Sequence, residues 1–188
     1  MRIYTYLQDG WADWECGYVL AGLRRNLGCE VVIASPDGSP VTSIGGIRAT
    51  PHVGFDAIEP SPDAGYLLIG SDDWLGFDRE STSETLTRAL ELDCPIGVVC
   101  AATVFAARVG LFEDRGHTSN GFEFLREHAG DYPGSRHYVC SPSAVLHRNL
   151  VTASGLAALT FSREYLKLVK GDTSFDEERY FAVYSKER

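Results

Sequence analysis

Short apolar runs alternate along the chain with longer segments whose apolar residues recur at helical spacing. Four runs predict strands, at residues 3–7, 30–34, 64–69 and 96–99. Apolar periodicity predicts helices at residues 14–26, 83–92, 103–109, 122–128 and 156–169. The run at residues 64–69 is apolar throughout, as in a parallel strand buried on both faces. This alternation predicts an α/β fold with a mainly parallel central sheet and helices on both sides.

Smaller elements complete this pattern. Hairpins are predicted at residues 41–50, around Gly45-Gly46, and at residues 145–152, with a short strand at residues 117–119. Ser83 is predicted to cap the helix that it begins. The tail, residues 171–188, is charged but also aromatic, so we expect it to pack on this subunit or on a partner. No internal repeat is visible, and residues 1–188 are predicted to form a single domain.

Length and composition restrict the class of protein. A chain of 188 residues with 44% hydrophobic and 23% charged residues is typical of one globular domain, and it lacks an apolar run of about 18 residues that could span a bilayer. Its first residues enter a strand pattern directly, which disfavours a signal peptide. Its five cysteines are an odd number without Cys-x-x-Cys spacing, which favours reduced thiols. We therefore expect a cytoplasmic protein without a membrane segment.

Charge disfavours nucleic acid as a partner. The formal net charge is -9, with 26 acidic against 17 basic side chains, whereas phosphate binding requires a basic face. The pair His137 and Cys140 is only a weak sign of metal binding, and no motif for a nucleotide or a flavin is visible. No metal and no cofactor is therefore expected.

Cys100 falls where a predicted strand must turn sharply into a helix. Val98 and Val99 end the apolar run before it, and residues 103–109 are apolar enough to pack back onto the sheet. Ligands bind at the carboxyl ends of parallel strands, and the free N–H groups of a following helix favour a thiolate. The position predicts a nucleophile and disfavours the alternative of an inert core cysteine.

Several blocks of the sequence carry a resemblance to a known family. They are Ala12-Asp13-Trp14-Glu15, the segment around Cys100, the segment from Gly110 to Arg115 with His117-Thr-Ser-Asn120, and Thr152-Ala-Ser-Gly155. In these blocks the chain resembles the ThiJ/PfpI family of the DJ-one superfamily, in its bacterial and archaeal glutamine amidotransferase-like branch. The resemblance implies a flavodoxin-like, class I glutamine amidotransferase-like three-layer sandwich. It also implies a homodimer that acts on a small molecule.

The resemblance assigns roles to individual residues. Cys100 matches the family's reactive cysteine, and Glu15 matches the glutamate that hydrogen-bonds its sulfur. A protonated Glu15 would donate to a thiolate, and together with the helix N-terminus it is a candidate to lower the cysteine pKa from about 8.5 toward about 6, at a cost of several kcal/mol to the fold. Asn120 aligns where several members place a histidine, which leaves His117 three residues earlier, as a general base or as a hydrogen-bonded structural histidine.

The resemblance also implies an oxyanion pocket. Its N–H groups would come from Gly70, Ser71 and Ala101, with Ser71 standing where the family has a second glycine. Ala101 occupies the position at which the family's peptidase-like members carry a histidine, so peptidase activity is disfavoured. True glutamine amidotransferase activity is disfavoured too, because no His-x-Glu pair follows in the distal part of the chain.

Three functions remain open. The favoured one is a cysteine-dependent hydrolase or lyase for small carbonyl compounds, glyoxalase III-like or deglycase-like. The second is a redox-responsive stress protein whose Cys100 is oxidised to a sulfenic or sulfinic acid. The third is a non-catalytic, amidotransferase-like binding module. The first two use the same reactive thiol, so the sequence leaves all three in place.

Overall fold

The computed structural model describes residues 1–171 and 173–186. The strands of this part are β1 (Arg2–Tyr6), β2 (Glu30–Ser35), β3 (Val41–Thr42), β4 (Arg48–Ala49), β5 (Val53–Gly54), β6 (Ala64–Leu68), β7 (Ile96–Val99), β8 (Val145–His147) and β9 (Leu150–Ala153). The α-helices are α1 (Asp13–Arg25), α2 (Glu80–Glu91), α3 (Ala102–Arg108), α4 (Phe122–Ala129), α5 (Ala158–Lys170) and α6 (Glu177–Tyr184).

Seven strands form one central sheet in the order β5-β2-β1-β6-β7-β9-β8. All neighbours in it pair in parallel except β8, which runs antiparallel to β9. Strands β3 and β4 form a separate antiparallel hairpin. The carboxyl ends of β1, β6 and β7 therefore lie side by side at one edge of the sheet, where α/β folds bind their ligands.

Successive strand residues point to opposite faces of the sheet, and each face buries its own core. On β6, for example, Leu68 belongs to the core to which α2, α3 and α4 contribute, whereas Leu67 belongs to the core to which α1, α5 and α6 contribute. The strand is buried at every position, which explains why its sequence is apolar throughout. The three-layer flavodoxin-like α/β sandwich expected from the sequence is confirmed. No helix of the described part is long and apolar enough to cross a membrane.

Two predicted elements are corrected by the structure. Helix α2 begins at Glu80, one turn before the expected Ser83, whose hydroxyl donates back to the Arg79 carbonyl instead of capping the helix. Residues 117–119 form no strand beyond a single bridge from His117 to Tyr138. The Thr118 N–H donates to the side-chain hydroxyl of Thr152 at 2.9 Å and therefore does not bond to a backbone carbonyl of a neighbouring strand.

The end of the chain also differs from the prediction. Helix α5 starts at Ala158 and not at residue 156, and the tail contains the unpredicted helix α6. Phe181 of α6 is buried against α5, and Lys170 pairs with Glu177 at 2.5 Å, so the described part of the tail packs on its own subunit as expected. Of the predicted tail, Asp172, Glu187 and Arg188 lie outside the described residues.

The close packing of β7 against α5 generates a test of the fold. A Cβ added at Gly97 would lie 2.8–2.9 Å from Leu67, Phe161 and Tyr165. We therefore expect Gly97→Ala to lower the free energy of unfolding by about 1–3 kcal/mol, because rigid core side chains must shift. Gly76→Ala is the matched control, since a Cβ there meets nothing within 4 Å. Urea unfolding with equal midpoints for the two variants would contradict this packing.

Candidate active site

Cys100 forms a tight joint between β7 and α3. Its backbone adopts φ 58°, a left-handed conformation that is rare for a residue with a side chain and is held here by bonds on both sides. Its N–H donates to the Ala153 carbonyl at 3.0 Å, and its carbonyl accepts from the Thr103 N–H at 3.1 Å. The sharp turn presents the side chain, which is partly exposed, at the carboxyl edge of the sheet.

Glu15 reaches the same place from the first turn of α1. Its side chain is fully buried, and its Oε2 accepts from the Gly70 N–H at 2.7 Å. A Cβ at Gly70 would lie 2.6 Å from Cys100 Cβ and 2.6 Å from Glu15 Oε2. Only a glycine at this position therefore lets the carboxyl group and the cysteine approach the end of β6 together.

Gly155 makes the same space available from the other side. A Cβ there would lie 2.7 Å from Glu15 Oε1 and 2.9 Å from Cys100 Sγ, so those two atoms share one small volume. The Gly155 N–H donates to Asn120 Oδ1 at 2.9 Å, and the Trp14 indole N–H donates to the Gly155 carbonyl at 2.8 Å. The strand-end loop after β9 is thereby fixed around the cysteine.

Asn120 contacts the sulfur directly. Its Nδ2 donates to Cys100 Sγ at 3.2 Å, while its Oδ1 is held by the Gly155 N–H. The amide is oriented by this second bond, so its N–H side is the one that faces the sulfur. Asn120 therefore lies where the aligned family members place a histidine and offers a donor in its place.

Burial controls the ionisation of Glu15 and Cys100. It raises the pKa of Glu15 from 4.5 to about 7, against the opposing effect of the Gly70 N–H. It also raises the pKa of Cys100 from 9.0 to about 11; the negative charge of Glu15 adds to this, while the Asn120 and Ala101 N–H groups oppose it. This direction is opposite to the lowering considered from the sequence, because desolvation outweighs the donors. Near neutral pH, Cys100 is a thiol beside a partly ionised carboxyl group.

His117 belongs to a different cluster. Its Nε2 lies 2.7 Å from the Tyr132 hydroxyl and its Nδ1 lies 2.9 Å from the Arg115 carbonyl oxygen, so both ring nitrogens are occupied. The ring is fully buried and stacks on Phe112, and burial lowers its pKa. The structure does not bring His117 together with Cys100, and its contacts are those of the structural alternative.

The three predicted oxyanion donors, the N–H groups of Gly70, Ser71 and Ala101, differ in whether they are already hydrogen-bonded. The Gly70 N–H already bonds Glu15, so it is not free for an oxyanion and its expected role is corrected. The Ser71 hydroxyl caps the following helical turn and donates to the Asp9 carbonyl, while the Ser71 N–H has no carbonyl partner among residues 1–171 and 173–186. The Ala101 N–H faces the Cys100 sulfur. Ser71 and Ala101 therefore remain as backbone donors.

Cys100 and Glu15 lie at the base of a cleft of about 310 Å³. Its walls come from the loop after β1, the loop after β6, the β3–β4 hairpin and the half-exposed Trp14. The remaining lining residues are Asp9, Gly10, Ala12, Ile44, Gly70, Ser71, Asp72 and Asp73. A small molecule in this cleft would contact the sulfur from the solvent side.

Cys100 lines the cleft, whereas the other cysteines of the described part do not. Cys16, Cys29 and Cys94 are buried in the two cores, and burial raises the pKa of Cys16 to about 12. Cys140 is exposed. Within the described ranges, no group of three or more histidine, cysteine and acidic side chains is placed to hold a metal ion.

Comparisons with known proteins agree with this geometry. The profile of the DJ-1/PfpI family matches residues 1–168. A Bacillus subtilis (strain 168) protein named uncharacterized protease YoaZ is 30% identical over 173 residues, covering 88% of this chain and 82% of that protein. A DJ-1 superfamily protein structure from Agrobacterium tumefaciens is 31% identical with a TM-score of 0.87, covering 98% and 97% of the two chains. A thiJ/pfpI family structure from Bacillus anthracis is 27% identical with a TM-score of 0.89, covering 100% and 91%.

The raised pKa of Glu15 predicts a pH dependence of stability. Because the pKa of Glu15 is higher in the folded chain, the folded state binds the Glu15 proton more tightly than the unfolded state does. The stability that protonated Glu15 contributes is fully present below about pH 4.5 and is lost as the pH rises through about 7. The difference corresponds to up to about 3 kcal/mol. Glu15→Gln should therefore gain stability relative to the wild type between about pH 4.5 and pH 8, measured by urea unfolding.

The control for this prediction is the exposed glutamate Glu59. Glu59→Gln removes the same carboxyl group from a solvated position, so its stability difference from the wild type should stay nearly constant across the same pH range. If Glu15→Gln behaved like Glu59→Gln, Glu15 would not be a desolvated carboxyl group.

Proposed function

Because the chain belongs to the DJ-1/PfpI family, we propose that it is an enzyme in which Cys100 attacks the carbonyl carbon of a small aldehyde or ketone. The observation that carries the proposal is the pairing of Cys100 with Glu15 at the base of an open cleft. A carboxyl group with a pKa of about 7 is suited to move a proton at neutral pH. Cys100 is the nucleophilic side chain that lines the cleft beside it.

Glu15 acts as the general base of the attack. As the sulfur bonds to the carbonyl carbon, the thiol proton passes to the Glu15 carboxylate and the carbonyl π electrons move onto oxygen. Glu15 then returns the proton to that oxygen, which gives a neutral hemithioacetal. When the substrate is a 2-oxoaldehyde, the hydrogen on the carbon bonded to sulfur then moves to the neighbouring carbonyl carbon, which gives a thioester of a 2-hydroxy acid. Hydrolysis of this thioester by water releases the 2-hydroxy acid and the free thiol. No net oxidant or reductant is needed.

Donors on three sides support the developing oxyanion. The N–H of Ser71 is without a carbonyl partner in the described part of the chain, and the N–H of Ala101 already faces the sulfur. Asn120 Nδ2, 3.2 Å from the sulfur, can turn its remaining N–H toward an oxygen bound next to it. Removing one such donor from an acyl-transfer site costs about 10²- to 10³-fold in rate.

The raised thiol pKa favours this enzyme over the redox alternative. With a pKa of about 11, Cys100 is ionised to about one part in ten thousand at pH 7, and peroxide reacts with the thiolate. Glu15 can take the thiol proton during attack on a carbonyl carbon, and the donors beside the sulfur then stabilise an oxyanion that forms in that reaction and not in oxidation by peroxide. The binding module is disfavoured because it gives no reason for a buried carboxyl group beside the cysteine.

Peptidase activity is not proposed, although the curated relatives from Bacillus subtilis are named uncharacterized proteases. Ala101 follows Cys100 directly, and the ring nitrogens of His117 are engaged elsewhere. The thiol therefore has a carboxylate and an amide as its polar neighbours, which differs from a Cys-His pair.

Two further expectations accompany the proposal. The homodimer implied by the family resemblance is supported by exposed apolar side chains near the cleft, Trp14, Ile44 and Leu156, whose burial would stabilise an interface. A cytoplasmic setting, with free thiols and without a nucleic-acid partner, remains the expected environment for the unpaired cysteines of the described part.

Turnover of a neutral 2-oxoaldehyde such as methylglyoxal tests the function. We expect Cys100→Ser to reduce kcat/KM to the background rate and Glu15→Gln to reduce it about 100-fold, because the general base is lost. In the wild type, kcat/KM should rise as the pH passes about 7, where Glu15 ionises, and Glu15→Gln should lack this rise.

Cys140→Ser is the matched control, since that thiol is exposed and is not part of the cleft. It should turn over substrate like the wild type. Full turnover by Cys100→Ser would contradict the proposal. Selective oxidation of Cys100 by peroxide, in a protein without carbonyl turnover, would favour the redox alternative instead.

A further inference from the structure

The cleft above Cys100 carries charge of one sign only. Asp9, Asp72 and Asp73 line its walls, and no lysine, arginine or histidine lines it within residues 1–171 and 173–186. The side chains of Asp72 and Asp73 have no ion-pair or hydrogen-bond partner in the same part of the chain. Their charge is therefore not neutralised by the protein.

Ser71 holds the acidic residues at one rim. Its hydroxyl donates to the Asp9 carbonyl and accepts from the Asp73 N–H at 3.2 Å. Asp9 is fixed further by its Oδ1, which accepts from the Thr42 N–H at 2.8 Å. The loops after β1 and β6 thus present their carboxylates to the same volume, and the low-permittivity walls of a cleft concentrate their field.

A second observation at the base of the cleft points to a ligand that donates hydrogen bonds. Glu15 is fully buried and lines the cleft, and in the described part of the chain no N–H or O–H group donates to its Oε1, which has the Cys100 thiol beside it. A buried carboxyl oxygen beside so weak a donor as a thiol is costly. The half-exposed indole of Trp14 on the same wall adds an aromatic face of the kind that binds cations.

We propose that the substrate of this cleft is a cationic carbonyl compound, an aldehyde or ketone that also carries a protonated amine. The amine lies against Asp72, Asp73 and the Trp14 ring while the carbonyl carbon reaches Cys100. Anionic carbonyl compounds, such as 2-oxo acids and sugar phosphates, are repelled. The identity of the reacting group rests on the function proposed above, whereas the charge preference is a property of the cleft and is tested without turnover.

The test uses three methanethiosulfonate reagents that share one reactive group and differ in charge. They carry a 2-aminoethyl group, which is protonated near neutral pH, a methyl group or a sulfonatoethyl group. In each, the thiolate attacks the sulfenyl sulfur, an S–S bond forms and methanesulfinate leaves. Rates of labelling at Cys100 are read by peptide mass spectrometry at low ionic strength, and each is divided by the rate of the same reagent with N-acetylcysteine.

The normalised ratio of the labelling rate with the cationic reagent to that with the anionic reagent measures the charge preference of the cleft. An exposed carboxylate near the reacting sulfur changes the rate for a unit charge by about twofold, hence this ratio by about fourfold. We expect a ratio above about tenfold for the wild type, a fall of about tenfold in Asp72→Asn/Asp73→Asn, and a fall in high salt. Asp63→Asn/Asp93→Asn is the control, because it removes two exposed carboxylates at the amino ends of β6 and β7.

A ratio near one, or an equal effect of the two double variants, would overturn the cationic-substrate proposal and leave the chemistry of Cys100 standing. Turnover retained in Cys100→Ser would overturn the proposed function and leave the labelling ratio intact. A protection experiment links the two: aminoacetone, whose amine is protonated near neutral pH, should slow iodoacetamide labelling of Cys100 at a concentration about tenfold lower than glyoxylate does. The reverse order would also contradict the proposal.

Discussion

The site depends on placing a fully buried carboxyl group against a partly exposed thiol. Glu15 comes from α1 and Cys100 from the end of β7, and they meet only because Gly70 and Gly155 have no side chains to occupy the space. A sharp left-handed turn at Cys100 completes the approach. The parallel sheet supplies the rigidity, because β1, β6 and β7 end side by side at this edge.

Desolvation follows from that approach and sets the chemistry. Burial raises the pKa of both groups, and the Glu15 carboxylate disfavours the Cys100 thiolate, so the pair holds one proton between about pH 7 and about pH 11. A thiolate formed in advance would require donors strong enough to overcome burial, and Asn120 with one backbone N–H is not enough. A base beside the thiol gives the nucleophile without that requirement, and the acidic rim then selects which carbonyl compounds reach it.

Local patterns allowed much of the fold to be predicted. The apolar run of β6 and the helical spacing before and after it predict a parallel sheet, since these signals lie within single elements. The start of α2 was missed because Arg79, tied to the Pro36 carbonyl and to Asp56 by tertiary contacts, precedes the helix in place of Ser83. Such contacts join residues far apart in the chain and leave no local signal.

The sequence predicted which residues form the site better than it predicted their ionisation. Cys100, Glu15 and Asn120 are brought together, whereas His117 packs with Tyr132, and the Gly70 N–H serves Glu15. Gly155 was visible only as part of a resembling block. The pKa of Cys100 was predicted in the wrong direction because burial is a property of the whole fold and cannot be obtained from neighbouring residues.

The pH dependence of Cys100 alkylation by iodoacetamide, followed site by site with mass spectrometry, tests the pairing with Glu15 most directly. In the wild type the labelling of Cys100 should still be rising above about pH 9, and in Glu15→Gln the rise should move to lower pH, because the carboxylate charge that opposes the thiolate is gone. A wild-type midpoint below that of free cysteine, moved upward by Glu15→Gln, would contradict the pairing described here.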